Sequence, residues 1–96
     1  MAAYFVAIRE ETIDQSELDT YFEEAPKARA GHNIKALARY GAFRLTEGEP
    51  IEGAVIMEFP TFAEAEAWYD SPAYQEAVQH RFLGGKYLTF LIEGVS

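Results

Sequence analysis

The apolar positions along the chain change period repeatedly, and each change marks a predicted element. From Ala3 to Arg9 they alternate: Tyr4, Val6 and Ile8 share one face of an extended strand and Phe5 and Ala7 the other. At Asp14 the period lengthens. Leu18, Tyr21, Phe22 and Ala25 fall at i, i+3, i+4 and i+7, the stripe of a helix, with Asp14 as its N-cap and Glu17 placed to reach back to it. Pro26 ends or kinks that helix, Ala28 and Ala30 carry it a turn further, and Gly31 stops it. Alternation returns from Ile34 to Leu45, where Leu37, Arg39, Gly41, Phe43 and Leu45 share a parity and Gly41 is a candidate bulge. The turn from Thr46 to Pro50 leads into a strand from Ala54 to Phe59.

The stretch from Glu58 to Phe82 carries the densest local signals. Pro60 cannot donate to a ladder and ends the strand; Thr61 and Glu64 form a capping box that opens a helix with Phe62, Ala65, Trp68 and Tyr69 on its apolar side. Ser71 and Pro72 restart the chain as N-cap and first helical residue. Tyr74, Ala77, Val78 and Arg81 make the next stripe, and Gly84-Gly85 is expected to end it in the left-handed conformation. Tyr87 to Glu93 alternates again as the last strand. The order β-α-β-β-α(α)-β is the split βαβ arrangement of an α+β, ferredoxin-like βαββαβ sandwich with an extra pair of helical turns, spanning residues 1–96 as one domain. Its first and third strands are expected side by side in the centre, with helices on one face only. The strands, however, are apolar on both faces. Phe5, Ala7, Val55, Met57, Thr89 and Leu91, or their opposite-parity neighbours, would be left in water. Burying one such side chain stabilises by about 1.5–3 kcal/mol, so the open face is expected to meet the sheet of a second copy across a two-fold axis.

The run EFPTFAEAEAWYDSPAYQ, the upstream Arg39 and the closing LIEGV resemble the domain of unknown function 1330 family, small members of the dimeric α+β barrel superfamily. The likeness covers nearly the whole chain. Members typically carry a Gly-Gly pair before the second strand, where this sequence has Gly31-His32. The resemblance implies a ferredoxin-like fold and a dimeric barrel and supplies no reaction. Fold-level kin include cofactor-free monooxygenases and isomerases of small aromatic or lactone compounds.

Charge and composition narrow the partners. The 96 residues carry a formal net charge of −8, with a pI near 4.6, which argues against nucleic acid, whose footprint is electropositive. With 0 cysteines there are no disulfides, thiolate metal sites or cysteine nucleophiles, in keeping with a reducing cytoplasm. MAAYFVAIREE lacks a basic n-region and reads as a strand, and no stretch approaches the roughly 18 apolar residues of a membrane span. No cofactor fingerprint, GxSxG or phosphate loop occurs, and the two histidines have no metal-ligand spacing.

The candidate chemistry therefore rests on few side chains. His32, at the entrance to the second strand, is either a loop histidine or a proton shuttle. Arg39, a charge inside an apolar strand, either snorkels at an edge or awaits an anion. Glu58 either pairs with it across the hairpin or, if desolvated, acts as a base. Trp68 and Tyr69 are core residues or a stacking platform for a planar ligand; His80 and Arg81 cap the last helix or take part in catalysis, and Arg81 is also a candidate to bind a ligand. Two readings follow. One is a dimeric module binding a small anionic or carbonyl-bearing metabolite between helices and sheet through Arg39, Glu58, Trp68, Tyr69 and Arg81. The other is a cofactor-independent enzyme in which His32 moves a proton and Arg39 holds negative charge.

Overall fold

A computed structural model describes residues 1–95. The elements are β1 (Ala3–Thr12), α1 (Gln15–Glu24) with a 3-10 turn at Ala25–Arg29, β2 (Lys35–Arg39), β3 (Gly53–Phe59), α2 (Phe62–Tyr69), α3 (Pro72–Gly84) and β4 (Gly85–Glu93). Each helix begins where a side chain takes up an otherwise orphaned amide. Asp14 accepts from the Ser16 N–H at 3.0 Å, Thr61 from the Glu64 N–H at 3.1 Å, and Ser71 from the Tyr74 N–H at 3.3 Å. Glu17 does not complete a capping box on α1. Its carboxylate lies 2.8 Å from Nδ1 of His80 and ties α1 to α3, so His80 serves an interhelical pair where helix-end capping was expected.

The strands form one sheet in the order β2-β3-β1-β4, every neighbouring pair antiparallel. This is the ferredoxin-like α+β fold, with β1 and β3 central. Pairing of Phe5 with Met57 and Leu91, and of Ala7 with Val55 and Thr89, assigns that parity to the helix-covered face. There Phe5, Met57 and Phe59 are buried with Trp68, whose ring lies 5.2 Å from Phe5, 5.3 Å from Phe59 and 4.2 Å from Tyr74. The opposite parity is open. It carries Val6, Ile8, Ile56, Leu88, Phe90 and Ile92, of which Leu88, Phe90 and Ile92 are 53%, 43% and 50% exposed.

Two further expectations need correction. Gly84-Gly85 does not end α3 by a left-handed turn: α3 runs through Gly84, and Gly85, with φ −162°, is already extended as the first residue of β4. Gly84 is needed for close approach, since a Cβ there would sit 2.8 Å from the Leu18 backbone nitrogen. Its carbonyl accepts from the Ile13 and Asp14 amides at 2.8 and 2.9 Å, which fastens the start of α1 to the end of α3. Nor does β2 reach Leu45. It stops at Arg39, and its irregularity lies between Ala36 and Ala38, ahead of Gly41. The last rung is the Tyr40 N–H to Ala54 carbonyl bond at 2.8 Å, after which Tyr40 turns the chain away at φ 50°. Its ring lies against Gly53, where a Cβ would meet it at 2.8 Å.

Candidate functional site

Between the helices and the sheet lies a cleft of about 330 Å³. Phe5, Ala7, Val55 and Met57 make an apolar floor, while Tyr21, Phe22, Trp68 and Tyr74 bring aromatic walls from the helices. The polar groups on this lining are unbalanced. Arg29, Arg39 and Arg81 all reach it, and none of the chain's 16 acidic residues does.

Arg81 is 3% exposed. Nη1 donates to the Tyr74 hydroxyl at 3.2 Å, and that hydroxyl lies 2.7 Å from the hydroxyl of Tyr21. The guanidinium also sits 5.2 Å from the ring centre of Tyr87 and 5.6 Å from that of Tyr21, within cation–π range. Burial opposes its charge, but the surrounding Tyr74 and Tyr21 phenols outweigh that and hold its pKa above the ordinary arginine value, so it remains a cation. Two of the residues lining the cleft carry a buried donor with no hydrogen-bond partner among the described residues: Arg81 at Nε and Trp68 at the indole Nε1. A buried donor without a partner costs about 1–3 kcal/mol, more when charged, and such groups are kept where something else satisfies them.

At the β2 edge stand Arg29 and Arg39. Arg29 places Nη2 3.1 Å from Sδ of Met57. Burial, and then the charge of Arg39, lowers its pKa, and neither arginine has an ion-pair partner among the described residues. The phenols of Tyr21, Tyr40 and Tyr74 are all pushed up, chiefly by burial, and stay protonated. Tyr40 and Tyr87, with hydroxyls 2.7 Å apart, bridge the sheet from its β2 side to β4. The lining therefore offers donors and cations around an apolar floor and no carboxylate.

Arg39, Trp68 and Arg81 line this cleft, and other candidate residues lie elsewhere. Tyr69 packs behind it on Phe5 and Tyr74, at 6.0 and 5.3 Å between ring centres. The expected Arg39–Glu58 pair does not form. The bulge in β2 sets Arg39 opposite Val55 on the helix face, and Glu58 is opposite Lys35 and Tyr4 on the open face. His32 is not on the lining; its amide closes the turn after α1 by donating to the Arg29 carbonyl at 2.9 Å. His32 and Arg39 are thus not brought together around this cleft. Arg29, Tyr40 and Tyr87 were not singled out from the sequence. Arg29 lies in a turn without periodicity, and the two tyrosines meet only through the sheet. No group of three or more His, Asp or Glu residues is placed to hold a metal ion among the described residues, and none of their helices is long and apolar enough to cross a membrane.

A four-stranded sheet with helices on one face and a cleft between the layers defines a ferredoxin-like α+β protein, and solved structures of that class superpose on nearly the whole chain. A protein of unknown function from Rhodopseudomonas palustris is 17% identical, with 99% of this chain and 83% of that one covered at a TM-score of 0.73. A dimeric ferredoxin-like protein of unknown function from Jannaschia sp. CCS1 is 14% identical, covering 98% and 100% at 0.68. SnoaB, a cofactor-independent oxygenase from Streptomyces nogalater, is 9% identical, covering 99% and 94% at 0.62. At these identities the likeness is one of fold. The chain belongs to the family Domain of unknown function (DUF1330), whose sequence model matches residues 2–95. No curated protein matches it.

Proposed function

We propose that the protein is a homodimer, packed through its open sheet faces, that binds a small anionic or carbonyl-bearing metabolite in the helix–sheet cleft. The observation that carries the ligand reading is the donor excess: three arginines and a partnerless indole N–H on a lining without a carboxylate, in a chain of net charge −8. Arg81 and Trp68 would receive the ligand's acceptor atoms in the interior, and Arg39 with Arg29 would hold negative charge at the β2 edge. The dimer reading rests on the exposed Leu88, Phe90 and Ile92 and on the dimeric state of the fold neighbours from Jannaschia and Thermobifida fusca. SnoaB shows that this fold can carry cofactor-independent oxygenation. The geometry here favours binding over the His32–Arg39 enzyme, because His32 stands off the cleft and burial holds the Tyr21, Tyr40 and Tyr74 phenols in the protonated form.

Thermal denaturation with 2-naphthoate and with 2-naphthylmethylamine, equal in shape and opposite in charge, tests the reading. The carboxylate raises Tm saturably, with about 2.7 kcal/mol of stabilisation expected at 100 times its Kd, and the amine does not. Equal responses, or none to the carboxylate, would overturn it.

A further inference from the structure

Resting on the reading of the cleft as an anion-accepting site, we infer that its ligand is an elongated, apolar-bodied molecule bearing an acidic or other acceptor group at each end. The cationic groups of the lining form two poles. One is Arg81, set over the ring of Tyr87 on β4 with Nε lacking an acceptor and with Trp68 Nε1 as a second unsatisfied donor on the same lining. The other is Arg29 with Arg39 at the opposite edge, on and beside β2, where two guanidiniums face one another's charge without a carboxylate.

The sheet order gives the span of the floor beneath these poles. From β2 to β4 there are three inter-strand steps, β2-β3, β3-β1 and β1-β4. At about 4.8 Å each, the backbones of the two edge strands lie about 14 Å apart. The floor between them is apolar. In the row that starts with Arg39, its partner is Val55, and the partner of Val55 is Ala7. A single small anion at one pole leaves the other unneutralised. A molecule lying across the strands, apolar in the middle and acidic at both ends, meets both poles and lays its body on Val55 and Ala7. The aromatic walls from Tyr21, Phe22 and Trp68 favour a flat body.

The test compares ligands of one shape that differ only in the second charge: naphthalene-2,6-dicarboxylate against 6-methyl-2-naphthoate, by isothermal titration calorimetry at low salt. The dicarboxylate is expected to bind about tenfold or more tightly, the ratio that one charge-assisted contact commands. That advantage should disappear in the Arg29→Met/Arg39→Met double variant, whose near-UV circular dichroism spectrum, unchanged from the wild type, reports an intact fold. Equal or weaker binding of the dicarboxylate by the wild-type protein, with the monocarboxylate bound, overturns the two-pole ligand and leaves the anion-accepting cleft standing. An advantage that survives in the double variant also overturns it, because the second charge then lies elsewhere. If neither carboxylate binds, this inference and the reading beneath it both fail.

Discussion

Arg81→Met removes a buried charge that the fold itself does not neutralise, and its effect on stability should be opposite in sign to its effect on binding. Taking one cation out of water costs several kcal/mol after relaxation. Against this stand the hydrogen bond to Tyr74 at 3.2 Å and the stacking on Tyr21, Phe82 and Tyr87 at 5.2–5.6 Å. A charged hydrogen bond returns about 1.5–3 kcal/mol and three cation–π contacts about 0.5–1 kcal/mol each, which roughly cancels the desolvation. Methionine of similar reach leaves no charge to desolvate, keeps contact with the aromatic rings, and adds about 1 kcal/mol of apolar burial beyond that of the arginine stem it replaces. The Tyr74 hydroxyl still has Tyr21 at 2.7 Å, so no polar group is newly orphaned. The net expectation is a gain of about 1 kcal/mol, or about 4–8 °C in Tm for a domain of this size. In the same variant, stabilisation by 2-naphthoate should vanish. Scanning calorimetry with and without the carboxylate reads both quantities. A fall in Tm of several degrees with binding retained would refute the reasoning, since Arg81 would then be a structural residue whose contacts exceed its desolvation cost.

The remaining predictions concern other parts of the molecule. Gly84→Ala forces a Cβ to within 2.8 Å of the Leu18 backbone nitrogen, and chemical denaturation should show a loss of about 1–3 kcal/mol. Asp14 accepts from the Ser16 hydroxyl at 2.6 Å, which holds its pKa below the ordinary 3.8. Its contribution to stability is therefore present above that value and lost as pH falls through the lower folded value, so Asp14→Asn should flatten the acid limb of a Tm-against-pH curve. Ile56→Lys places a charge on the open face, and sedimentation equilibrium should show the mass falling from twice 10.8 kDa to 10.8 kDa, as burial of an unpaired charge at about 3–5 kcal/mol weakens a dimer more than a hundredfold. A wild-type chain that sediments as a monomer at micromolar concentration would dispose of the dimer.

Local chemistry was legible in the sequence wherever a single residue type decides an outcome. Asp14, Thr61 and Ser71 cap helices because short oxygen-bearing side chains take up first-turn amides, and Pro72 follows Ser71 for want of an N–H. Alternation in β1, β3 and β4 was equally clear, but it cannot say which parity meets the helices when both are apolar. Only the pairing of Phe5 with Met57, beneath Trp68, settles that. The site was less legible because its geometry depends on non-local events. A bulge between Ala36 and Ala38 turns Arg39 away from Glu58 and toward the cleft, although the parity of the text puts Arg39 with Leu37. Arg81 reads as a helix-end cation, yet the packing of α3 against α1 carries it inside. Tyr40 and Tyr87 are 47 residues apart and join only because β2 and β4 belong to one sheet.

The central claim, a cleft whose buried donors await an acceptor, is tested most directly at Trp68. It is the 1 tryptophan of the chain, so its indole N–H gives one isolated cross-peak in a 1H–15N correlation spectrum. Nε1 has no acceptor among the described residues. On titration with 2-naphthoate the peak should move downfield along a saturable curve whose midpoint matches the calorimetric Kd, and it should stay still with 2-naphthylmethylamine. An indole peak that does not respond to the carboxylate, or that moves equally with the amine, would contradict the account.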